Sequence, residues 1–308
     1  MSRVLGADAI LKGRLSAYTV IKELHRAADE GAVYLARHVP ACYCSRHLLI
    51  ILGHWRLRNE VDILKCYQRE TRFLRPLIDE IQDPADPLSI VLRYLDSDVL
   101  TESNKKRLSR PEIKQVARCI LEALRVLHRD GMVHTDVKLD NVFQESSFAK
   151  EGHVIGARFT RRPEATFQLP WTTATDIWSF GTAMLSLVLG GGYHLFNPKI
   201  EGIGRKTTPT SLPSDFNDSD TMTIINFINQ LQRPAKPFAR AGPREIPPAD
   251  KEFILKIMKL DPRDRPTAEE LLADAWFTEE SPDTRAPLPG EVGEPGKSKH
   301  PGEEGPRT

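Results

Sequence analysis

The sequence predicts an α+β protein in two lobes, a small strand-rich lobe at about 18–96 and a larger helical lobe at about 97–277. Three observations predict it. Short β-forming runs crowd the first third, a strongly amphipathic helix begins at Ser109, and the segment from Thr173 is apolar almost all round.

The elements follow in order. SAYTVIKEL (Ser16–Leu24) and GAVYLAR (Gly31–Arg37) are β-type runs placed to form a hairpin, and HLLIIL (His47–Leu52) supplies a third strand. Residues 1–17 are expected to be a leader. Arg58–Leu74 carries Val61, Leu64, Cys66 and Phe73 at mixed helical spacing and reads as a helix, and Leu88–Asp96 as a strand followed by a turn. Ser109 and Glu112 form a capping-box pair, and behind them Ile113, Val116, Ile120, Leu124 and Leu127 recur every three or four residues. Gly131 is placed to stop that helix. Pro248–Leu260 and Thr267–Phe277 read as two more helices with proline at or before their starts. Gly204–Asp220 is loop-like. After Phe277 the chain turns to Pro and Gly with almost no large apolar residues, so 278–308 is expected to be a disordered tail.

Composition excludes some classes. Charged residues are 28% of the chain and the formal net charge is +1, so no global field points to nucleic acid or to a membrane surface. The longest fully apolar run, Leu48–Leu52, is far short of the about 20 residues a membrane span needs. The start has no charged region followed by an apolar one, as a signal peptide would. Cys42, Cys44, Cys66 and Cys119 lack metal-site spacing and are expected to be reduced thiols in a cytoplasmic or nuclear protein.

The chemistry concentrates in GMVHTDVKLDNVF, Gly131–Phe143. An Asp on a short loop can accept a proton from a substrate hydroxyl. A Lys two positions later can neutralise a transferring phosphoryl group, and an Asn three beyond can coordinate magnesium. Phosphoryl transfer needs these parts, because it rests on positioning and electrostatic stabilisation.

His134-x-Asp136-x-Lys138-x-x-Asn141 resembles the catalytic loop of eukaryotic protein kinases, H-R-D-x-x-x-x-N. Pro163-Glu164-Ala165 resembles the A-P-E motif, DIWSFG (Asp176–Gly181) the start of a helix in that family, and the segment with Arg265 its closing motif. The resemblance covers about 18–277. It implies transfer of the γ-phosphoryl group of ATP to Ser or Thr of a protein, with Mg²⁺. Lys138, two past Asp136, is the serine/threonine pattern. By resemblance Asp136 orients the substrate hydroxyl, Lys138 neutralises charge and Asn141 holds metal. The adenine would sit between the lobes against the hinge near Arg93–Asp96, with Leu92, Tyr94 and Leu95 as its contacts. His134 supports the loop, Asp176 accepts hydrogen bonds that hold it, and Glu164 pairs with Arg265. The resemblance further implies a protein substrate or partner.

Four departures stand against that pattern. Thr135 replaces the Arg before the Asp. D-F-G is absent: no Asp lies between Asn141 and Asp176, and only 22 residues separate Asn141 from Glu164. Gly31 stands alone where a phosphate-cradling loop would carry three glycines. No lysine lies between Tyr34 and Asp62 to serve as the ATP lysine; Arg46 and Arg56 are the cations there, and Glu60 or Glu70 would be its helical partner. Such gaps between intact motifs are what an incorrectly joined gene model would produce. As written, the chain is expected to be an impaired kinase; the alternative is an inactive pseudokinase acting as a protein-binding scaffold.

Overall fold

The computed structural model describes residues 5–27, 31–39, 46–51, 55–144, 152–154, 172–190, 238–280 and 282–285. The two-lobed α+β architecture is present. In the first lobe β1 (Ile10–Gly13), β2 (Ala17–Ala27), β3 (Gly31–Val39), β4 (Arg46–Ile51), β5 (Leu77–Asp83) and β6 (Ser89–Arg93) form an antiparallel sheet that curls closed in the order β1-β2-β3-β4-β6-β5. The hairpin of β2 and β3 pairs Ala17 with Val39 through to Ala27 with Gly31. β3 opens at Gly31 with φ 89, a left-handed conformation that glycine adopts without a Cβ penalty.

Strand alternation sorts side chains between two cores. Val91 of β6 joins Tyr18, Val20, Ala32, Tyr34, Ala36 and Ile81 inside the curled sheet. Its neighbours Ile90 and Leu92 face the other way, into the main core. There they join Leu57, Val61 and Leu64 of α1 (Trp55–Tyr67), so α1 belongs to the main core rather than to the inside of the barrel.

The stretch expected to be a leader contributes β1, which pairs with both β2 and β5 and closes the sheet. A buried carboxylate fixes that closure. Asp79 of β5 is 4% exposed and accepts from the backbone N–H groups of Arg14 (3.1 Å), Leu15 (2.9 Å) and Ser16 (3.2 Å) and from the Tyr18 hydroxyl (3.1 Å). Burial, and then the Asp79 charge, push the Tyr18 phenol well above its ordinary range. A Cβ on Gly13 would lie 2.1 Å from Asp79 Oδ2, so only glycine lets the turn wrap the carboxylate this closely.

β6 leads through Tyr94–Asp96 into β7 (Ser97–Asp98), which pairs with β8 (Val142–Gln144); β8 in turn pairs with β9 (Gly152–Val154). Asp98 caps α2 (Val99–Lys105) by accepting from Thr101 N at 2.7 Å. α3 (Arg110–Arg129) starts at the Ser109/Glu112 capping box. Its most buried line runs through Ile113, Ala117, Ile120, Leu121, Leu124 and Leu127, with Val116 at the edge of the stripe. It ends in a Schellman motif: Met132 N donates to Leu127 O and Gly131 N to His128 O, with Gly131 at φ 70.

α4 (Thr173–Leu189) is buried on nearly every side, which accounts for its all-round apolar sequence. A Cβ on Gly181 would meet Ile257 Cγ2 at 2.7 Å, so Gly181 sets how closely α4 approaches α5 (Pro248–Ile257). The final segment forms α6 (Ala268–Leu272), opened by a Thr267/Glu270 capping box, and a single 3-10 turn over Ala275–Phe277.

Part of the stretch expected to be disordered is ordered. Arg285 donates to Val188 O (3.2 Å) and Leu108 O (2.8 Å), and its side chain is 3% exposed. Arg107 donates to Val188 O at 3.0 Å. Both cations therefore serve the C-terminal carbonyls of α4, which have no acceptor role left inside the helix and carry its partial negative charge. Among the described residues no helix is long and apolar enough to cross a membrane.

Candidate active site

The loop after α3 is anchored at alternate residues. Val137 (0% exposed) and Leu139 (5%) point into the main core, so Asp136 and Lys138 share the outward side of an extended segment. A 3-10 turn over Leu139–Asn141 then leads into β8, where Val142 is fully buried.

Asp176, in the first turn of α4 and 0% exposed, holds this loop from below. It accepts from His134 N at 2.6 Å and Thr135 N at 2.7 Å, and His128 Nε2 lies 3.0 Å from its Oδ2. Thr135 sits at φ 69, uncommon for a β-branched residue, and the bond from its own N–H to Asp176 fixes that conformation. The carboxylate thus sets the backbone that presents Asp136 one residue later.

Lys138 Nζ lies 2.5 Å from Asp140 Oδ2, so in this structure the ammonium is held by an acid of its own loop. Asn141 is half-buried, and its amide nitrogen has no hydrogen-bond partner among the described residues. Magnesium needs several oxygen ligands. Asn141 offers one, Asp140 is engaged by Lys138, and among the described residues no cluster of three acidic, His or Cys side chains could hold a metal. No Asp lies between Asn141 and Asp176, and the described residues do not complete a magnesium site.

Arg265 is 6% exposed and ties three segments together. It donates to Lys259 O (2.8 Å), Ala174 O (2.9 Å) and Leu260 O (3.0 Å), and its guanidinium lies 4.8 Å over the Trp178 ring. Glu164, its expected partner, lies outside the described residues, as do the side chains of Arg46 and Arg56.

At the hinge Leu92 (1% exposed) and Leu95 (5%) are buried and Tyr94 is half-buried. Of the two acids weighed as a lysine partner, Glu70 lies beyond the end of α1 and pairs with Arg129 at 2.7 Å. Glu60 lies within α1, where burial raises its carboxyl above the usual range and Arg75 opposes the rise. Arg75 went unnoticed in the sequence. It is 5% exposed; burial lowers its guanidinium to about 10, with Glu60 and then Tyr94 opposing, which leaves it charged at neutral pH. Its one sequence signal is a lone cation between Leu74 and Pro76 at the entry to a strand.

A family model described as the protein kinase domain matches residues 52–277. Among curated proteins the chain is similar to the serine/threonine-protein kinase PAK 4 of Mus musculus, 25% identical over 73% of this chain and 36% of that protein. It is also similar to the SNF1-like protein kinase ssp2 of Schizosaccharomyces pombe, 25% identical over 93% of this chain and 48% of that protein. The CTD kinase subunit alpha of the same yeast is 24% identical over 76% of this chain and 45% of its own length. The chain therefore spans about a third to a half of these relatives. The matched segment begins just after β4 and runs from α1 through the loop carrying Asp136 to the final 3-10 turn, and on that ground the chain belongs to the protein kinase domain family.

Proposed function

We propose that this chain is a kinase domain of the serine/threonine type in which phosphoryl transfer from Mg-ATP to protein Ser or Thr is strongly impaired. The observation that carries the reading is the contrast at one loop. Asp176 holds the backbone beside Asp136 with two charge-assisted hydrogen bonds, while among the described residues no group of three acidic, His or Cys side chains gathers to hold a metal with Asn141.

Asp136 keeps the chemistry to orient a hydroxyl and accept its proton. Lys138 would have to leave Asp140 to meet a phosphoryl group. Magnesium, where bound, would supply charge neutralisation at the phosphates, and no acid among the described residues joins Asn141 to place it. Loss of one preorganised electrostatic group typically costs about 10²–10³ in rate, against turnover of roughly 1–100 per second for kinases. Two such groups are missing here, the metal acid and the ATP lysine. Radiolabelled transfer from Mg-ATP to a mixture of Ser- and Thr-containing proteins is expected to run below about 10⁻² per second. Turnover in the ordinary kinase range, abolished by Asp136→Asn, would contradict the reading.

The second reading, an inactive scaffold that binds a protein partner, draws on the helical lobe. Its core is continuous from α1 through α3 and α4 to Trp276, so the surface it offers a partner does not depend on a working cleft. A cytoplasmic or nuclear setting fits either reading.

A further inference from the structure

We propose that Arg75 is a built-in occupant of the interlobe cleft, its guanidinium taking the place at the hinge where an adenine base would bind. The proposal rests on the hinge placement of the base that goes with the kinase reading, and on no step of phosphoryl transfer.

Three walls meet at this side chain, and they come from both lobes. Arg75 stands at the entry to β5 in the small lobe. Its Nε donates to the backbone carbonyl of Arg93, the last residue of β6, at 2.8 Å. Its Cζ lies 4.7 Å over the ring of Phe143 in β8, two residues beyond Asn141. Glu60 of α1 supplies the opposite charge nearby.

The chemistry of this arrangement resembles that of a bound purine. A purine with an exocyclic amine is a flat group that stacks on an apolar or aromatic face and donates from its edge. A guanidinium is also flat, also stacks on aromatic faces and also donates from its edge. Here it stacks on Phe143 and donates to Arg93 O. An incoming adenine would have to expel a 95% buried cation and leave Glu60 without its countercharge. The Arg93 carbonyl and the Phe143 ring face take the place of water around the guanidinium, and the Glu60 charge opposes the effect of its burial.

The missing ATP lysine and the presence of Arg75 are then connected. A cation remains coupled to the α1 acid, but it comes from β5 rather than β4 and reaches toward the base rather than the phosphates.

The test uses adenosine without metal, so that neither phosphate contacts nor magnesium contribute and the outcome is independent of kinase activity. The full chain is titrated with adenosine by calorimetry, beside Arg75→Leu and the double variant Arg75→Leu/Glu60→Gln, each checked for folding by circular dichroism. The double variant removes the acid that Arg75→Leu leaves buried and unpaired. Unaltered protein is expected to show no saturation near millimolar adenosine, and at least one folded variant to bind about tenfold tighter or more, the worth of one freed hydrogen-bond acceptor. Saturation of the unaltered chain at tens of micromolar, on the order of 6 kcal/mol of binding, would overturn the proposal whatever the variants do. Folded variants with the adenosine affinity of the unaltered chain would overturn it equally.

Discussion

Replacing Asp250 by alanine is expected to cost about 3–5 kcal/mol of stability, with a fall in melting temperature on the order of 10 °C. Asp250, in the first turn of α5, is 1% exposed. Arg110, at the start of α3, is 4% exposed and donates to it from Nε (3.0 and 3.1 Å) and from Nη2 (2.7 Å). Trp276 Nε1 donates to the same carboxylate at 2.7 Å while its ring stacks on Phe253 at 4.2 Å. One acid therefore joins the start of α3, the start of α5 and the final turn. Removing it takes the countercharge from a buried guanidinium and the acceptor from the Trp276 indole N–H, and that penalty exceeds the strength of the pair itself. The double variant Arg110→Met/Asp250→Leu is accordingly expected to recover much of the loss, because it removes both charges. Urea unfolding of the three proteins checks the order. A contrast is Lys12 and Asp83, whose side chains are 70% and 67% exposed at 3.3 Å; breaking that pair is expected to leave the midpoint unchanged. Equal effects from the buried and the exposed pair would sink this account of the helical lobe.

Asp176→Ala is the second large effect. Two backbone N–H groups, on His134 and Thr135, lose a fully buried acceptor, and the expected cost is on the order of 3–5 kcal/mol. The consequence is local as well as global. Thr135 has φ 69, a conformation that costs about 1–3 kcal/mol unless its surroundings impose it. Without Asp176 the loop relaxes and Asp136 loses its fixed approach. Amide hydrogen exchange is the readout: His134 and Thr135 are expected to be protected in the unaltered chain and to exchange far faster in the variant, while amides in the middle of α3 keep their protection. Asp176→Asn, which keeps the volume but puts a donor in place of one acceptor, should fall between the two. Unchanged protection at His134 and Thr135 in Asp176→Ala would show that something other than this carboxylate holds the loop.

What the sequence revealed follows from how local each signal is. The capping box at Ser109 and Glu112, the stop at Gly131 and the helix from Thr173 are written in residues three or four apart, and the structure has all three. β1 and β5 were not foreseen. β1 has four residues, and in β5 the inward position 79 carries an acid, so the alternation that marks a strand is broken by Asp79. That acid is buried because residues 63 to 65 positions earlier in the chain donate to it, a fact no window of sequence contains. Arg110 and Asp250 are 140 residues apart and each reads as an ordinary charge at a helix start. Arg75 is hidden for the same reason: its partners lie in β6, β8 and α1. The loop from His134 to Asn141 was legible as chemistry because its spacing is short and its residue types are specific, whereas the cation that fills the cleft follows no such pattern.

The measurement that most directly tests the central claim is the magnesium dependence of ATP binding to the unaltered full chain, read by thermal unfolding. A cleft whose described residues supply no metal acid, with Arg75 at the hinge as proposed, predicts the same melting temperature in millimolar ATP with and without Mg²⁺. A ligand at about a hundredfold its dissociation constant stabilises by about 2.7 kcal/mol, enough to move the midpoint by several degrees. An upward shift of that size on adding Mg²⁺ to ATP, absent with Mg²⁺ alone, would contradict the account and restore a working nucleotide site.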